Sequence, residues 1–423
     1  MAEVQYVTLW DPQFSRVDNA EQLGTGSAHH YLTLFPGADK LPPINVYAVA
    51  DAVFGGNGLI RVGDQIFARA DAIPGYYHEV FHVWYKNLLG DGEEVVVFSE
   101  PVASIVQPNW VYGHVILEML PKMYLVDLLA LLGRKFRVVV TKQAPPFLRE
   151  IVSLYVNDRD VFYYDPEKQK IKAPFIIVPS MMNWNYRMHP AMNLLIDDLI
   201  ARCRKQEKTL GFACVFLSRS RLSKAQEQRL ADPVSIEAIF ARHGFEIVHP
   251  QEMNFKQQVL MYADADVIAG VAGSALHNSL FQKRGGTVIS IGTRNDIQGK
   301  LTAFRGQALH FIDPPDGERA AASPPADGAD DKPTRSLDAF AIDLADILAK
   351  LDAPASVAHT LRALPAPNVQ DVPAAPAEAA GQAATQSQAW QILRGEAAAP
   401  PPVELDPAPA KRPGLFRRLF GVR

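Results

Sequence analysis

Asp266-Val267-Ile268-Ala269-Gly270-Val271-Ala272-Gly273-Ser274 decides the fold class. Its first half has the short apolar run of a buried strand, and its small residues make a turn opening onto a helix over 274–282. A strand at 287–291 follows. Upstream, the pattern predicts strands at 212–217 and 245–248 and helices at 233–243 and 255–263. Strand–helix alternation with short connections predicts a parallel sheet covered on both faces. Such sheets bind ligands outside the carboxyl ends of their strands, where the strand order reverses. That rim would carry Ser218 to Arg221, Pro250 and Gly270 to Gly273.

Outward from this segment the chain divides by composition. Residues 1–105 alternate short β-branched or aromatic runs with turn residues, which predicts a β-rich N-terminal region. Residues 106–210 are expected to form an α/β domain, with a mostly buried helix from Tyr112 to near Gly133, a strand at 136–140, another apolar stretch at 175–178, and a helix at 192–204. Residues 211–313 are the second α/β domain. From 314 to 410 the chain turns rich in Ala, Pro, Asp and Gln, a linker composition, with one helix expected over 336–351 from the spacing of Leu337, Phe340, Leu344, Ile347, Leu348 and Leu351. Residues 411–423 interleave apolar and basic side chains without an acid. Such a tail rests on an anionic membrane surface, docks a partner protein, or is a disordered basic end.

Bulk properties exclude several classes. The chain has 423 residues, 48% hydrophobic, with a formal net charge of −4, so no basic field points to nucleic acid. Its 2 cysteines, Cys203 and Cys214, are too few for a disulfide scaffold and read as thiols of a reducing compartment. Neither a signal-peptide pattern nor a membrane-length apolar run is evident. The expectation is a cytoplasmic protein, with the tail as a peripheral contact to the inner membrane.

Three places could carry chemistry. Gly270 to Ser274 could let backbone N–H groups approach a diphosphate at a helix N-terminus, or could be a tight turn with close helix–sheet packing. Ser218-Arg219-Ser220-Arg221 offers two guanidinium forks to the same anion, or is a solvated basic loop. His114 and Glu118, four apart on one helix face, make either a carboxylate-held base or a structural pair at a helix start. His277 faces the rim or the helix surface. His78-Glu79-Val80-Phe81-His82 matches the H-E-x-x-H zinc pattern, but its aromatic and β-branched surroundings predict a strand. On a strand the two histidines stand about 13 Å apart, so no metal site is expected. The adjacent His29-His30 pair is a poor chelate for a similar reason.

Several ordered blocks resemble glycosyltransferase family 61, which includes capsular polysaccharide biosynthesis proteins. They are His114 with Glu118-Met119-Leu120-Pro121, then Leu217-Ser218-Arg219, then Gly244-Phe245-Glu246-Ile247-Val248 with Pro250, then Phe255-Lys256-Gln257-Gln258-Val259, and residues 266–278. The resemblance runs from about Tyr112 to Ile291. It implies a GT-B-like α/β fold, two Rossmann-like halves facing a cleft, with the β-rich N-terminal region and a disordered C-terminal tail outside it. It also implies inverting, metal-independent transfer of a sugar from a nucleotide-sugar to a glycan acceptor, without a cofactor. Ser218, Arg219, Arg221, Gly270, Gly273 and Ser274 would then hold the nucleotide diphosphate, and His114 or Glu118 would serve as base. The chain departs from the family pattern at Ala272, at Asp232-Pro233 and at Gln257. Those departures leave a second reading open, a binding or scaffold protein of the same fold without transfer activity.

Overall fold

The structure is a computed structural model. It describes residues 4–14, 40–56, 58–63, 65–67, 69, 72, 94–105, 111–131, 133, 135–157, 160–184, 186–222, 230, 232–292, 296–315 and 336–352. Among them it is a mixed α/β protein with several sheets.

The sheet predicted from residues 266–274 is present. Strands Cys214–Leu217, Glu246–Val248, Val267–Val271, Thr287–Ile291 and Ala308–Ile312 pair in parallel throughout. Their order across the sheet is second, first, third, fourth, fifth. The direction of winding therefore reverses between the first and third strands, the switch point at which doubly wound sheets open a crevice. All five residues of Thr287–Ile291 are buried, as a strand covered on both faces requires. Leu217 and Gly270 are register partners across the switch point. A β-carbon on Gly270 would lie 3.1 Å from the β-carbon of Leu217, so the close approach depends on glycine.

Helix starts in this half follow local chemistry. Asp232 accepts the Ser235 backbone N–H at 3.0 Å, and Pro233 occupies the first turn of helix Pro233–Arg242. Asn254 and Gln257 form a reciprocal capping box at the start of Phe255–Asp264. One expectation is corrected. The helix predicted over 274–282 is a six-residue 3-10 helix, Leu276–Phe281. Tyr262 donates its hydroxyl to the Ala275 carbonyl at 2.9 Å, and tight i→i+3 bonding follows. A helix so short lacks the summed dipole of a long α-helix.

The other half holds a six-stranded sheet in the order Val4–Trp10, Ile44–Ala50, Phe175–Pro179, Val102–Ser104, Arg137–Thr141, Val161–Tyr164. A five-stranded sheet runs Gln65–Ile66, Leu59–Val62, Ala52–Gly55, Gln169–Lys172, Glu94–Val97. Strands from either side of residue 105 share both sheets.

A single apolar core joins the halves. It includes Val115, Met123 and Leu199 on one side and Val259, Leu276 and Leu309 on the other. Polar groups reinforce the seam. The Glu150 carboxylate accepts the backbone N–H groups of Phe255 at 2.8 Å and Lys256 at 3.2 Å, capping a helix of the opposite half. Arg305 donates to Asn193 Oδ1 at 2.6 Å and to the Gln282 carbonyl at 2.9 Å, and burial pulls its pKa down to about 10. Helix Leu337–Asp352 lays Phe340 and Leu344 into a separate cluster with Phe240 and Ile312. No helix among the described residues is long and apolar enough to cross a membrane.

Candidate active site

The helix expected from Tyr112 starts as one α-turn, Tyr112–His114, passes through a π-helical stretch, Val115–Met119, and continues as Leu120–Leu131. Pro121 supplies a reason for the widening. Its ring nitrogen has no proton to give, and its ring would collide with the carbonyl of Leu117, four residues earlier. Here the Leu117 carbonyl instead accepts the side-chain amide of Asn183 at 2.7 Å. Short π segments of this kind recur at functional sites.

This segment carries His114 and Glu118, and their side chains meet, with Nδ1 to Oε1 at 2.9 Å. Glu118 is buried and His114 is nearly so, at 3% and 14% side-chain exposure, so the pair is shielded on the carboxylate side and reachable at the ring. A carboxylate can only accept in this contact, which fixes the proton on Nδ1 and makes Nε2 the atom that takes up a proton.

The helix start sits on the switch-point loop of the other half. A β-carbon on Gly113 would lie 3.1 Å from Ser274 Oγ and 3.4 Å from His277 Nδ1. The next residue of one chain segment is the candidate base, and the facing residue of the other is the candidate phosphate loop. Beside this contact, Tyr112 donates its hydroxyl to Gln258 Oε1 at 3.1 Å and accepts Asn278 Nδ2 at 2.9 Å. Burial raises the Tyr112 pKa, keeping the phenol neutral so that it can donate. His277 is buried, not a helix-surface residue.

The remaining predicted residues lie on the rim. Ser218 follows strand Cys214–Leu217, its N–H donating to the Val248 carbonyl at 2.8 Å. Its hydroxyl bonds the Glu237 carboxylate and receives the Ser220 N–H at 3.0 Å. Arg219 is half-buried at the same strand end. Arg221 is exposed and forms a 2.8 Å ion pair with Glu252, which divides its attention from any anion. Gly273 has φ of 150°, a conformation open to glycine, and Ala272 donates its N–H to the Ile291 carbonyl at 3.0 Å.

Reasoning from sequence missed Tyr112, Glu237 and Tyr186. Tyr186 sits between the short strands Asn183–Trp184 and Arg187–Met188, with φ of 61°. That backbone region costs a bulky L-residue roughly 1–2 kcal/mol. Its ring centroid is 6.5 Å from that of His114, tilted by 54°. The zinc-like pattern at 78–82, the His29-His30 pair and the tail at 411–423 lie outside the described residues. Among the described residues no three His, Cys, Asp or Glu side chains gather to hold a metal.

Residues 112–289 match the family described as Glycosyltransferase 61. The chain carries a glycosyltransferase family 61 domain. No curated protein matches the chain. The glycosyltransferase 61 match starts at Tyr112, the residue that opens the π-containing helix, and ends inside strand Thr287–Ile291. It therefore takes in the His114–Glu118 pair, the Tyr186 turn and both loops at the switch point, and the protein is a glycosyltransferase.

Proposed function

We propose that the protein is an inverting glycosyltransferase of GT-B-like arrangement that works without a metal ion or cofactor. It moves a sugar from a nucleotide-sugar donor to a hydroxyl of a polysaccharide or glycan acceptor, of the kind found in capsular polysaccharide. The observation that carries this reading is the seating of Gly113 on Ser274, which sets the His114–Glu118 pair beside the reversal point of a parallel sheet.

The donor diphosphate lies at that reversal point. Arg219 and, more weakly, Arg221 face its oxygens, with Ser218 and the backbone of Gly270, Gly273 and Ser274 close by. His114 removes the acceptor proton at Nε2 while Glu118 stabilises the imidazolium through Nδ1. The acceptor oxygen bonds the anomeric carbon as the carbon–oxygen bond to the diphosphate breaks, and the electron pair leaves on the phosphate. One displacement of this kind inverts the anomeric centre. The developing charge on the diphosphate falls where the arginines wait. The departures at Asp232, Pro233 and Gln257 are compatible with this chemistry, since all three residues serve helix starts.

We place the protein in the cytoplasm, with residues 411–423 as a peripheral contact to the inner membrane or a partner protein. The test is calorimetric titration with a panel of sugar nucleotides, followed by turnover with and without a chelator. Binding to one donor, weakened by Arg219→Ala, and turnover lost in His114→Ala at unchanged donor affinity support the enzyme. Failure to bind any donor supports the scaffold reading, and turnover abolished by chelator and restored by a divalent ion overturns the metal-free one.

A further inference from the structure

The turn carrying Tyr186 is held from three sides. Asn183, on its first strand, donates to the Leu117 carbonyl at 2.7 Å, inside the π-helical stretch that also holds Glu118. Arg187, on its second strand, is buried, and helix Asp296–Arg305 packs against that strand. His189, just beyond, accepts the Ala191 N–H at 3.2 Å and lies 3.1 Å from the Asp11 carbonyl. Of these anchors, the Asn183 bond ties the turn to the same piece of chain that positions the base.

Tyr186 itself has the left-handed φ of 61°. Asn or Gly would adopt it with little strain, and a bulky side chain there points to a constraint beyond chain reversal. The half-buried ring packs against the core, and its centroid lies 6.5 Å from that of His114, tilted by 54°. Glycan acceptors present flat faces of C–H groups ringed by hydroxyls, and an aromatic ring matches such a face. A sugar resting on Tyr186 brings an edge hydroxyl to the imidazole that deprotonates it.

We propose that Tyr186 is the acceptor platform, an aromatic wall against which the acceptor sugar stacks to present its hydroxyl to His114. This rests on the transferase reading above, and it adds the residue that selects a pyranose acceptor over water. In this assignment Tyr186 touches the acceptor and not the donor.

The experiment compares wild type with Tyr186→Asn and Tyr186→Phe. Asn tolerates the left-handed backbone, so that variant is expected to fold, and its melting temperature checks this. With the donor identified on wild type, transfer to acceptor and hydrolysis of donor by water are measured side by side. The expected result for Tyr186→Asn is an acceptor KM raised about tenfold, an unchanged donor KM, and a larger share of donor lost to water. Tyr186→Phe keeps the ring and restores the acceptor KM. An unchanged acceptor KM in a folded Tyr186→Asn overturns the platform. So does a shifted pH profile of kcat at constant acceptor KM, which would make Tyr186 a positioning residue for His114. Failure of wild type to bind or turn over any donor overturns the parent reading, and the platform with it.

Discussion

Gly113 and Ser274, separated by more than 150 residues of chain, pack so closely that a β-carbon on the glycine would fall 3.1 Å from the serine hydroxyl. Ser274 Cβ would be 3.3 Å away and His277 Nδ1 3.4 Å, so the site is tight on more than one side. Gly113→Ala is therefore a sensitive probe. Alanine favours the helix by up to about 1 kcal/mol over glycine, which offsets part of the packing cost. The expected outcome is a melting temperature within a few degrees of wild type, together with a clear fall in kcat/KM. An active Gly113→Ala would mean that the base does not need this seating.

Glu118 is buried against His114 Nδ1 at 2.9 Å. Glu118→Gln keeps the shape and removes the charge that stabilises a protonated imidazole. Turnover should drop by about a hundredfold, with donor affinity in titration unchanged. Wild-type turnover in this variant would assign the proton to another group.

The two arginines of the rim should behave differently. Arg221 is engaged with Glu252 in an exposed ion pair, of a type that contributes little to stability. Arg219 is half-buried at the strand end itself. Arg219→Ala is expected to weaken nucleoside diphosphate binding about tenfold or more, and Arg221→Ala by less, measured by titration. The reverse ranking would relocate the diphosphate towards the outer loop.

Glu150 stabilises the seam between halves by accepting two backbone N–H groups of the opposite half's helix. Glu150→Ala should cost about 1 kcal/mol, the scale of a lost helix cap. Denaturant unfolding reads this as a lower midpoint at unchanged slope.

How much of this was legible in the sequence varied with the length of the signal. The parallel sheet was legible because Val267–Val271 and Thr287–Ile291 are short apolar runs separated by turn residues, a purely local pattern. The pairing of His114 with Glu118 was also local, four residues apart. The seating of Gly113 on Ser274 was not, since nothing in a glycine announces what faces it. Tyr186 was hidden for a related reason, because a positive φ at tyrosine is imposed by its surroundings rather than favoured by the residue. The 3-10 helix at Leu276–Phe281 kept its apolar spacing, and composition alone does not separate it from an α-helix.

A pH dependence of stability follows from His189. It accepts the Ala191 N–H on Nδ1 and contacts the Asp11 carbonyl through Nε2, so a proton on Nδ1 would break the first bond. Burial lowers its pKa below 6.5. Partial burial and the charge of Lys350 lower His310 as well. The unfolded chain therefore takes up protons more readily than the fold, and stability falls as pH drops below about 6.5 towards the folded values. Melting curves from pH 7.5 downwards should show this loss, and His189→Gln should shrink it. An unaltered pH slope in that variant would remove His189 from the account.

The π-helical stretch at Val115–Met119 has a consequence for how the enzyme tolerates changes in chain length. A π turn holds one residue more than an α turn, so Tyr112–His114 and the buried helix Leu120–Leu131 keep nearly the same angular phase with or without the extra residue. Deleting one residue would therefore leave the start of the helix aimed as before, but would bring a carbonyl of the preceding turn back under the Pro121 ring. The extra residue is slack in the chain, which lets a proline sit inside a helix without moving the helix start off the switch-point loop.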